Sequence, residues 1–571
     1  MILSRAAVLS WTFLSLSAAD VSPAVHIDQV GYLPDAAKIA VIAVSSPASQ
    51  FSVRRTTGGQ TVFKGQLSDP RHDELSGDTV QLADFSALRA DGDYYLDIVG
   101  LGRSYDFGIH RDVFSRAFYL TMRGYYAQRC GTKVDLSPDF PSFQHAACHL
   151  VGAYDASSGK TGPHASAGGW HDAGDYGRYV VNSGITTGTL LWAWEIYHGR
   201  LGSINLNIPE SGSKVPDMLN EIRWNLDWML SMQDEDGGVW HKQTSTNFSG
   251  FVMPEADKAP SLVIGTGSAP FKSSCATGDF AAVMAIASRA FAPYDPAYAK
   301  KTLQAARTAW TWLSQNPNVT FSNPRGVNTG EYGDRDCSDE RLWAAAELYR
   351  TTNDEQYNKY FLANYESFLS SAAKPPDWAS VGAMGLWTYA MAGRSNEAVT
   401  AIKNATLKAA DDIANRTIAS PYQISMQNSD YVWGSNGVAA NYSVLLLISN
   451  VLHPDPRYTN AAFENLHYLL GRNAFSVSWV TQLGSNPFRH PHHRPSGADN
   501  NPEPWPGLLS GGPNPGRQDQ AMQKVPKGPP MRMWLDDQAS YSSNEIAINW
   551  NAPLVFVLAA ALPDTPTHAK H

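Results

Sequence analysis

The feature that most constrains the fold is a long succession of helix-like segments, which begins at Val113 and continues almost to the C-terminus. Apolar residues recur in them at three- and four-residue intervals, and Gly- and Pro-rich loops divide them. The twelve candidate helices span residues 113–129, 184–198, 216–232, 278–291, 296–315, 338–351, 354–370, 382–392, 395–413, 437–450, 455–470 and 544–562. A dozen helices without intervening strands predicts paired inner and outer helices that close into an α/α barrel. The competing architecture, a helical solenoid, is not supported by any repeating sequence period.

The N-terminal part has a different texture. Short segments rich in β-branched and aromatic residues alternate with Gly, Pro, Asp and Ser turns. These segments span residues 38–44, 51–54, 61–64, 79–82, 93–99 and 104–107. We therefore predict a small β-sandwich of the immunoglobulin type over residues 20–110, followed by a helical barrel domain over residues 111–571.

The first nineteen residues have the pattern of a signal peptide. Arg5 supplies positive charge, an apolar run covers residues 6–16, and small residues at 17–19 offer a cleavage site. We expect a secreted protein whose mature chain starts near Asp20. Sequons at five positions fit a secreted glycoprotein: Asn247, Asn318, Asn404, Asn415 and Asn441.

Charge and hydropathy exclude two classes of partner. The formal net charge of -9 offers no basic face for phosphates, so nucleic acid is not expected as a partner. The apolar segment at residues 552–562 is too short to span a bilayer, and no membrane anchor is expected. We expect an uncharged substrate and a monomeric protein.

The glycine-rich segment at residues 168–177 contains two carboxylates three residues apart, Asp172 and Asp175. Glycines allow the backbone to approach a ligand closely. Hydrolysis of a glycosidic bond needs one carboxylate that activates water and a second acid that protonates the leaving oxygen. A calcium loop, or a turn with solvated acids, is the alternative interpretation.

A second acidic segment lies near the C-terminus, where Trp534, Asp536 and Tyr541 precede Asn544 and Glu545. The pattern predicts that Glu545 lies in the first turn of a buried helix, either as a partner of the helix dipole or as an acid at the mouth of the barrel. With Asn544 as N-cap, the dipole alternative needs no chemistry.

A basic cluster lies between the two acidic segments, in a Pro-rich stretch at residues 487–530 that is long for a loop and is therefore either functional or disordered. It includes His490, His492, His493 and Arg494. Imidazole and guanidinium groups can hold sugar hydroxyls, but the cluster alone fits a metal site equally well.

Two further groups of residues could bind metals. Cys130, Cys148, His149 and His171 offer two thiolates and two imidazoles, which suits zinc, although a Cys130–Cys148 disulfide is an equally open alternative in a secreted protein. Residues 331–340 are dense in oxygen donors, with Asp336, Asp339 and Glu340 as candidate calcium ligands. The alternative there is helix capping by Ser338.

Together these segments resemble glycoside hydrolase family 9, the cellulase family whose catalytic domain is an (α/α)6 barrel. The histidine-containing pattern runs from Ser478 to Arg494, and the acidic pattern runs from Trp534 to Ala552. The segment at residues 26–32, His-Ile-Asp-Gln-Val-Gly-Tyr, is similar to the start of the immunoglobulin-like domain in one subgroup of the family. The resemblance covers nearly the whole mature chain.

The resemblance implies an inverting mechanism and a role for each matching residue. Asp175 would be the general base, Asp172 its helper, Glu545 the general acid, and Asp536 an acid near the site without an assigned role. His492 and Arg494 would bind substrate. The subgroup also implies zinc at the Cys/His cluster and calcium at the acidic segment, where Asp377 is a more distant candidate ligand.

These implications lead to an expected activity. We expect an endo-β-1,4-glucanase that acts on soluble or amorphous β-glucan, because no carbohydrate-binding module is expected after the barrel. An exo-acting enzyme on cello- or chito-oligosaccharides is the nearest alternative, and a non-catalytic glycan-binding protein is an alternative of another class. The candidate sugar platforms are Trp170, Trp240, Trp433, Tyr332 and Tyr541.

Overall fold

A computed structural model of the chain describes residues 21–564. The predicted signal peptide therefore lies outside the described residues. Among those residues, no helix is both long enough and apolar enough to cross a bilayer.

The N-terminal module is a two-sheet β-sandwich, as predicted. Its strands are β1 (Val25–His26), β2 (Gly31–Tyr32), β3 (Ile39–Ala43), β4 (Gln50–Arg55), β5 (Thr61–Gln66), β6 (Arg71–His72), β7 (Thr79–Asp84), β8 (Gly92–Ile98), β9 (Gly102–Arg103) and β10 (Phe107–Ile109). One sheet has the order β1-β3-β7-β6, and the other has the order β2-β10-β8-β4-β5 with β9 beside β8. The predicted strand at residues 104–107 begins only at Phe107, because the Ser104 hydroxyl accepts from the backbone N–H of Leu96 and interrupts the pairing.

Twelve α-helices of nine or more residues dominate the rest of the described chain, and the predicted (α/α)6 barrel is confirmed. The expectation of no intervening strands is wrong, because short strands between residues 134 and 264 form a two-stranded and a five-stranded sheet. The inner helices are α2 (Val180–Leu201), α4 (Ser274–Phe291), α6 (Ser338–Thr352), α8 (Gly382–Ala390), α10 (Ser435–Leu452) and α12 (Ile548–Ala561). The outer helices are α1 (Ser115–Ala127), α3 (Asp217–Ser231), α5 (Pro296–Gln315), α7 (Glu355–Asn364), α9 (Glu397–Ala419) and α11 (Pro456–Leu469). Each outer helix packs against an inner one, as α5 does on α4 and α11 on α10.

Local chemistry explains where several outer helices begin. The Asp295 carboxylate accepts from the backbone N–H of Tyr298, and Pro296 occupies the first position of α5. Asp455 and Pro456 start α11 in the same manner. An N-cap carboxylate followed by proline satisfies a free donor and sets the helical φ in advance.

The β-sandwich packs on the barrel through buried polar contacts. Asp28 accepts from the His467 ring at 2.7 Å, and Asp78 accepts from the Tyr422 hydroxyl at 2.7 Å. Arg532 also donates to Asp78, at 2.6 Å. The β-sandwich is thereby fixed against the outer helix α11, through His467, and against the segment that precedes the C-terminal acidic pattern, through Arg532.

The Pro-rich stretch at residues 487–530 has a defined conformation. It contains two short helices, Arg494–Ala498 and Gln520–Lys524, and the backbone N–H of Arg494 donates to the carbonyl of Gly174. The stretch therefore closes over the glycine-rich segment, which favours the functional interpretation over disorder.

Candidate active site

The segment at residues 168–177, which we call the base loop, leads directly into α2. Its backbone lies too close to its neighbours for larger residues: a Cβ on Gly174 would lie 2.1 Å from the carbonyl oxygen of His492. Gly169 has a φ of +77°, and a Cβ there would lie 2.9 Å from the ring of Trp228. These glycines allow the loop to pass between the barrel wall and the Pro-rich stretch.

Asp172 and Asp175 are both buried in the base loop. Asp172 accepts from the side-chain amide of Asn182 and from the hydroxyl of Tyr332, both at 2.6 Å. Asp175 accepts from the backbone N–H of Gly177 at 3.0 Å and from the hydroxyl of Tyr179 at 3.1 Å. Burial and the charge of Asp175 raise the pKa of Asp172 to about 8.

The acid segment, residues 541–547, presents Glu545 differently from the prediction. Glu545 follows the short helix Tyr541–Asn544 in an extended conformation, and α12 begins only at Ile548. Two isolated β-bridges hold this conformation: one pairs His492 with Glu545, and the other pairs Ser510 with Ile546. Glu545 therefore lies outside any helix first turn, and the helix-dipole interpretation does not apply.

The environment of Glu545 favours its protonated form. Burial, followed by the charges of Asp175 and Asp172, raises the pKa of Glu545 well above its usual range. A carboxyl group that keeps its proton at neutral pH can act as a general acid. Asn544 is not an N-cap, because its amide donates to the carbonyl of His490 at 2.7 Å and to Asp536 at 3.1 Å.

Asp536 has a structural position, which corrects its inclusion among the catalytic candidates. Its carboxylate accepts from the backbone N–H groups of Arg489 and His490, both at 2.8 Å, in addition to Asn544. It does not line the cleft. These contacts fix the loop that carries His492.

The two substrate-binding candidates of the basic cluster differ. The His492 ring is half-buried, bonds to the carbonyl of Gln538 at 2.7 Å, and packs against Tyr541. Arg494 is buried and donates to the carbonyls of Gly174 at 2.6 Å and Ser249 at 2.8 Å. Two of its three guanidinium nitrogens, Nε and Nη1, thus hold protein carbonyls, which gives Arg494 a positioning role, and its sugar contact stays a prediction.

Asp172, Asp175 and Glu545 face one cavity of about 590 Å³ at the mouth of the barrel. Its aromatic lining consists of Tyr179, Phe248, Tyr332, Trp378, Trp433 and Trp550. Trp433 and Tyr332 were predicted as platforms, whereas Phe248, Trp378 and Trp550 were missed. Tyr541, 36% exposed, packs beside Trp433 with ring centroids 5.5 Å apart.

Two predicted platforms are wrong. Trp170 is fully buried, and its indole N–H donates to Glu221 at 2.9 Å. Trp240 is 1% exposed, and its N–H donates to the carbonyl of Ser158 at 3.1 Å. Both rings belong to the core, and residue type alone carries no measure of depth.

Lys242 is a buried residue near the site that the sequence did not single out. Its ammonium donates to Asn323 at 2.6 Å, to the carbonyl of Gly330 at 2.7 Å and to Thr329. Burial lowers the pKa of Lys242 to about 7, although Asp175 and Glu331 oppose this change. These bonds anchor the loop that continues to Tyr332, the residue whose hydroxyl donates to Asp172.

A cluster of Cys130, Cys148, His149 and His171 lies behind the base loop. One ligand atom from each residue lies within 4.8 Å of those of the other three, and both cysteines are free thiols, so the Cys130–Cys148 disulfide is not formed. The buried Nδ1 of His149 has no hydrogen-bond partner, while its Nε2 faces Asp257 at 3.2 Å. Two sulfurs, two imidazoles and an unpartnered nitrogen fit a tetrahedral metal site.

The acidic segment differs in one residue from the predicted ligand set. Asp334, Asp339 and Glu340 have carboxylate oxygens within 4.8 Å of one another, whereas Asp336 is exposed and accepts from the backbone N–H of Ser338. Both carboxylate oxygens of Glu340 are buried without partners, which fits a cation. Asp377 lines the cleft and is not in this cluster.

The neighbouring Cys337 forms a disulfide with Cys275, which the sequence analysis did not predict. This bond joins the start of α4 to the residue before α6, beside the acidic cluster. No spacing signal distinguishes this pair from the other two cysteines.

Two acidic side chains, Asp175 and Glu545, that face one aromatic-lined cleft on an (α/α)6 barrel are the arrangement that glycoside hydrolysis requires. The profile described as "Glycosyl hydrolase family 9" matches residues 114–558, and that of "Cellulase N-terminal ig-like domain" matches residues 20–103. The chain belongs to glycosyl hydrolase family 9.

Individual relatives agree with this assignment. Endoglucanase D of Acetivibrio thermocellus is 38% identical over 541 residues, which cover 94% of this chain and 83% of the relative. A cellodextrinase of Butyrivibrio fibrisolvens is 36% identical over 558 residues, covering 94% of this chain and 99% of the relative. The crystal structure of the family 9 endoglucanase J30 superimposes with a TM-score of 0.88 at 34% identity, covering 93% of this chain and all of that one.

Proposed function

We propose that this protein is an inverting endo-β-1,4-glucanase. The observation that carries the proposal is the joint exposure of Asp175 and Glu545 to one aromatic-lined cleft, in which burial and nearby negative charge raise the pKa of Glu545. The relatives named for endoglucanase activity support the endo mode. Flat rings along the cleft suit the apolar faces of glucose units.

The residues divide the reaction between them. Asp175 takes a proton from a water molecule, which attacks the anomeric carbon from the face opposite the leaving group, while Glu545 gives its proton to the departing oxygen. Asp172, held by Asn182 and Tyr332, helps to fix the water beside Asp175. One bond to oxygen forms as the other breaks, so the configuration at the anomeric carbon inverts.

Product analysis tests this proposal. We expect internal cuts in carboxymethyl cellulose, a mixture of products from cellopentaose, and α-configured sugar as the first product. Release of a single sugar or disaccharide from chain ends would favour the exo alternative, for which the cellodextrinase relative is the supporting observation. Products of retained β configuration would reject the inverting mechanism. Cleavage confined to chitosan oligomers would reject β-glucan as the substrate.

We further propose that the Cys130–Cys148–His149–His171 cluster binds one structural zinc ion. Zinc would join the base loop, through His171, to the segment that holds Cys130 and to α1 beyond it. We expect one zinc per chain by elemental analysis, and removal by a chelator to lower Tm by about 4 °C. A Cys130–Cys148 disulfide found by mass spectrometry, in protein without zinc, would exclude the site.

The acidic cluster is proposed to bind calcium through Asp334, Asp339 and Glu340. Added calcium should raise the Tm of the apo protein, and Asp334→Asn should remove most of that increase. Asp336→Asn is the matched control, because Asp336 belongs to the same segment but lies outside the cluster. Equal responses of the two variants would count against the assignment.

We also propose that residues 1–19 direct secretion and that the mature protein is a monomer of two domains, 20–110 and 111–571. N-terminal sequencing of protein from the culture medium should begin near Asp20. The sequon at Asn441 is not proposed as a glycan site, because that side chain is buried and lines the cleft.

A further inference from the structure

Two phenylalanines stand exposed beside the cleft on one short segment, residues 248–257. Phe248 is 50% exposed and lines the cavity, and Phe251 is 36% exposed. Apolar area that faces water is unfavourable relative to burial. Two exposed rings on one short segment, one of them in the lining of the cleft, indicate that something apolar covers them during function.

Arg494 holds both rings in place. Its guanidinium carbon lies 5.6 Å from the ring centroid of Phe248 and 5.6 Å from that of Phe251. The same side chain donates to the carbonyl of Ser249, between the two phenylalanines, and to Gly174 in the base loop. One residue therefore fixes the rings and the base loop relative to each other.

The other end of the segment is anchored as well. Asp257 accepts from the Ser249 hydroxyl at 2.8 Å and from the backbone N–H of Ala259 at 2.9 Å, and it faces His149 at 3.2 Å. The Tyr176 hydroxyl donates to the carbonyl of Val252. Because the segment is held at several points, its rings are presented in a fixed arrangement that needs little ordering when a ligand binds.

Phe251 belongs to a row of aromatic side chains on the side of the cleft that carries Glu545. The Phe251 ring lies 5.2 Å from that of His492, which lies 5.8 Å from Tyr541, which lies 5.5 Å from Trp433. His492 pairs with Glu545 in the backbone. The row thus passes Glu545 and ends at Phe251, which shares the Arg494 guanidinium with Phe248.

We propose that Phe248 and Phe251 form a sugar-binding platform for an additional glucosyl unit of the substrate, beyond the units that contact the catalytic acids. The proposal rests on the proposed glucanase function and deepens it, since it makes the enzyme selective for longer chains. An uncharged pyranose ring presents an apolar face of C–H groups that matches two phenyl rings. Arg494, the cation that lies against both rings, already donates to two carbonyls, which favours an uncharged ligand.

The test compares substrate length in matched variants. Phe251→Ala should lower kcat/KM on cellohexaose about tenfold, while kcat/KM on an aryl cellobioside should change less than about twofold. Phe248→Ala removes a ring that also lines the catalytic cavity, so it should lower kcat/KM on both substrates, and more on cellohexaose. Phe248→Trp keeps a flat ring and should retain the wild-type preference. Leu362→Ala removes another exposed apolar side chain, on the outer helix α7, and should leave kcat/KM on both substrates unchanged.

Each outcome discriminates. An equal loss on both substrates, or no loss on cellohexaose, would overturn the platform. If the alanine variants do not fold by circular dichroism, Phe→Leu variants, which keep apolar bulk but lose the flat face, replace them and are judged by the same ratio. Calorimetry of cellohexaose binding to proteins that also carry Glu545→Gln separates the failures of the two proposals. A wild-type protein without activity on any β-glucan defeats the proposed function. Weaker cellohexaose binding after Phe248→Ala, measured by calorimetry, still supports the platform.

Discussion

The base loop and the acid segment reach the same cleft by different structural means. The base loop at residues 168–177 is one continuous stretch, narrowed by glycines, with the Cys/His cluster behind it. The acid segment at residues 541–547 is held by chain from three separate places, at His492, Ser510 and Asp536. The base is thus positioned by a locally folded loop, and the acid by the assembly of distant segments.

The two sides are nevertheless electrostatically linked. After burial, the charges of Asp175 and Asp172 help to raise the pKa of Glu545, so the base loop contributes to the protonation of Glu545. Variants that affect one side, the other, or the link between them should therefore behave differently.

The largest effect is expected when either carboxylate is removed. Asp175→Ala and Glu545→Ala should each lower kcat on cellopentaose by about 10²- to 10⁴-fold, with Tm nearly unchanged. An activated aryl leaving group needs no proton, so Glu545→Ala should recover most of its activity on 2,4-dinitrophenyl cellobioside, whereas Asp175→Ala should not. Equal recovery in both variants would mean that the roles are not divided as proposed.

Asp172→Asn tests the link. Loss of the partner that helps to hold the water should lower kcat by about tenfold or more. The charge that Asp172 carries above its pKa of about 8 helps to raise the pKa of Glu545. Loss of that charge should therefore lower the pKa of Glu545 and move the alkaline limb of the kcat/KM profile to lower pH. A pH series from 4 to 10 measures this; an alkaline limb that stays in place or moves upward would contradict the coupling.

Lys242→Met tests the support behind the base loop and should give the smallest effect. The bonds to Asn323 and Gly330 would be lost, Tyr332 would be less firmly held against Asp172, and kcat/KM should fall about fivefold. Because a positive charge near Asp175 disappears, the acidic limb of the profile should move to higher pH.

The matched control is Lys272→Met, which removes another buried lysine, paired with Asp234 and Asp236. It should affect Tm without moving the acidic limb. A profile of Lys242→Met that coincides with that of Lys272→Met would assign Lys242 a purely structural role.

Much of the fold followed from periodicity. Twelve helices and an N-terminal strand-rich module were predicted, but the prediction missed the strands between residues 134 and 264 and misplaced some boundaries, such as the start of α12 at Ile548 in place of residue 544. That error had a consequence for the site, because Glu545 lies in an extended segment paired with the Pro-rich stretch. Pairing between residues some 50 positions apart leaves no local periodic signal.

The sequence by itself determined the barrel with its β-sandwich, because helical periodicity and strand patterning are local properties. It also supplied Asp175, Glu545 and the four Cys/His residues as candidates, and their assigned roles stay predictions. Only the tertiary structure decided that Cys275 bonds to Cys337 and that Asp334 replaces Asp336 in the acidic cluster.

Depth likewise belonged to the tertiary structure alone. It placed Trp170 and Trp240 in the core, and Trp378, Trp550 and Phe248 in the cleft. Burial depends on which residues, distant in the sequence, pack against a side chain, and the amino-acid sequence does not state these packing partners.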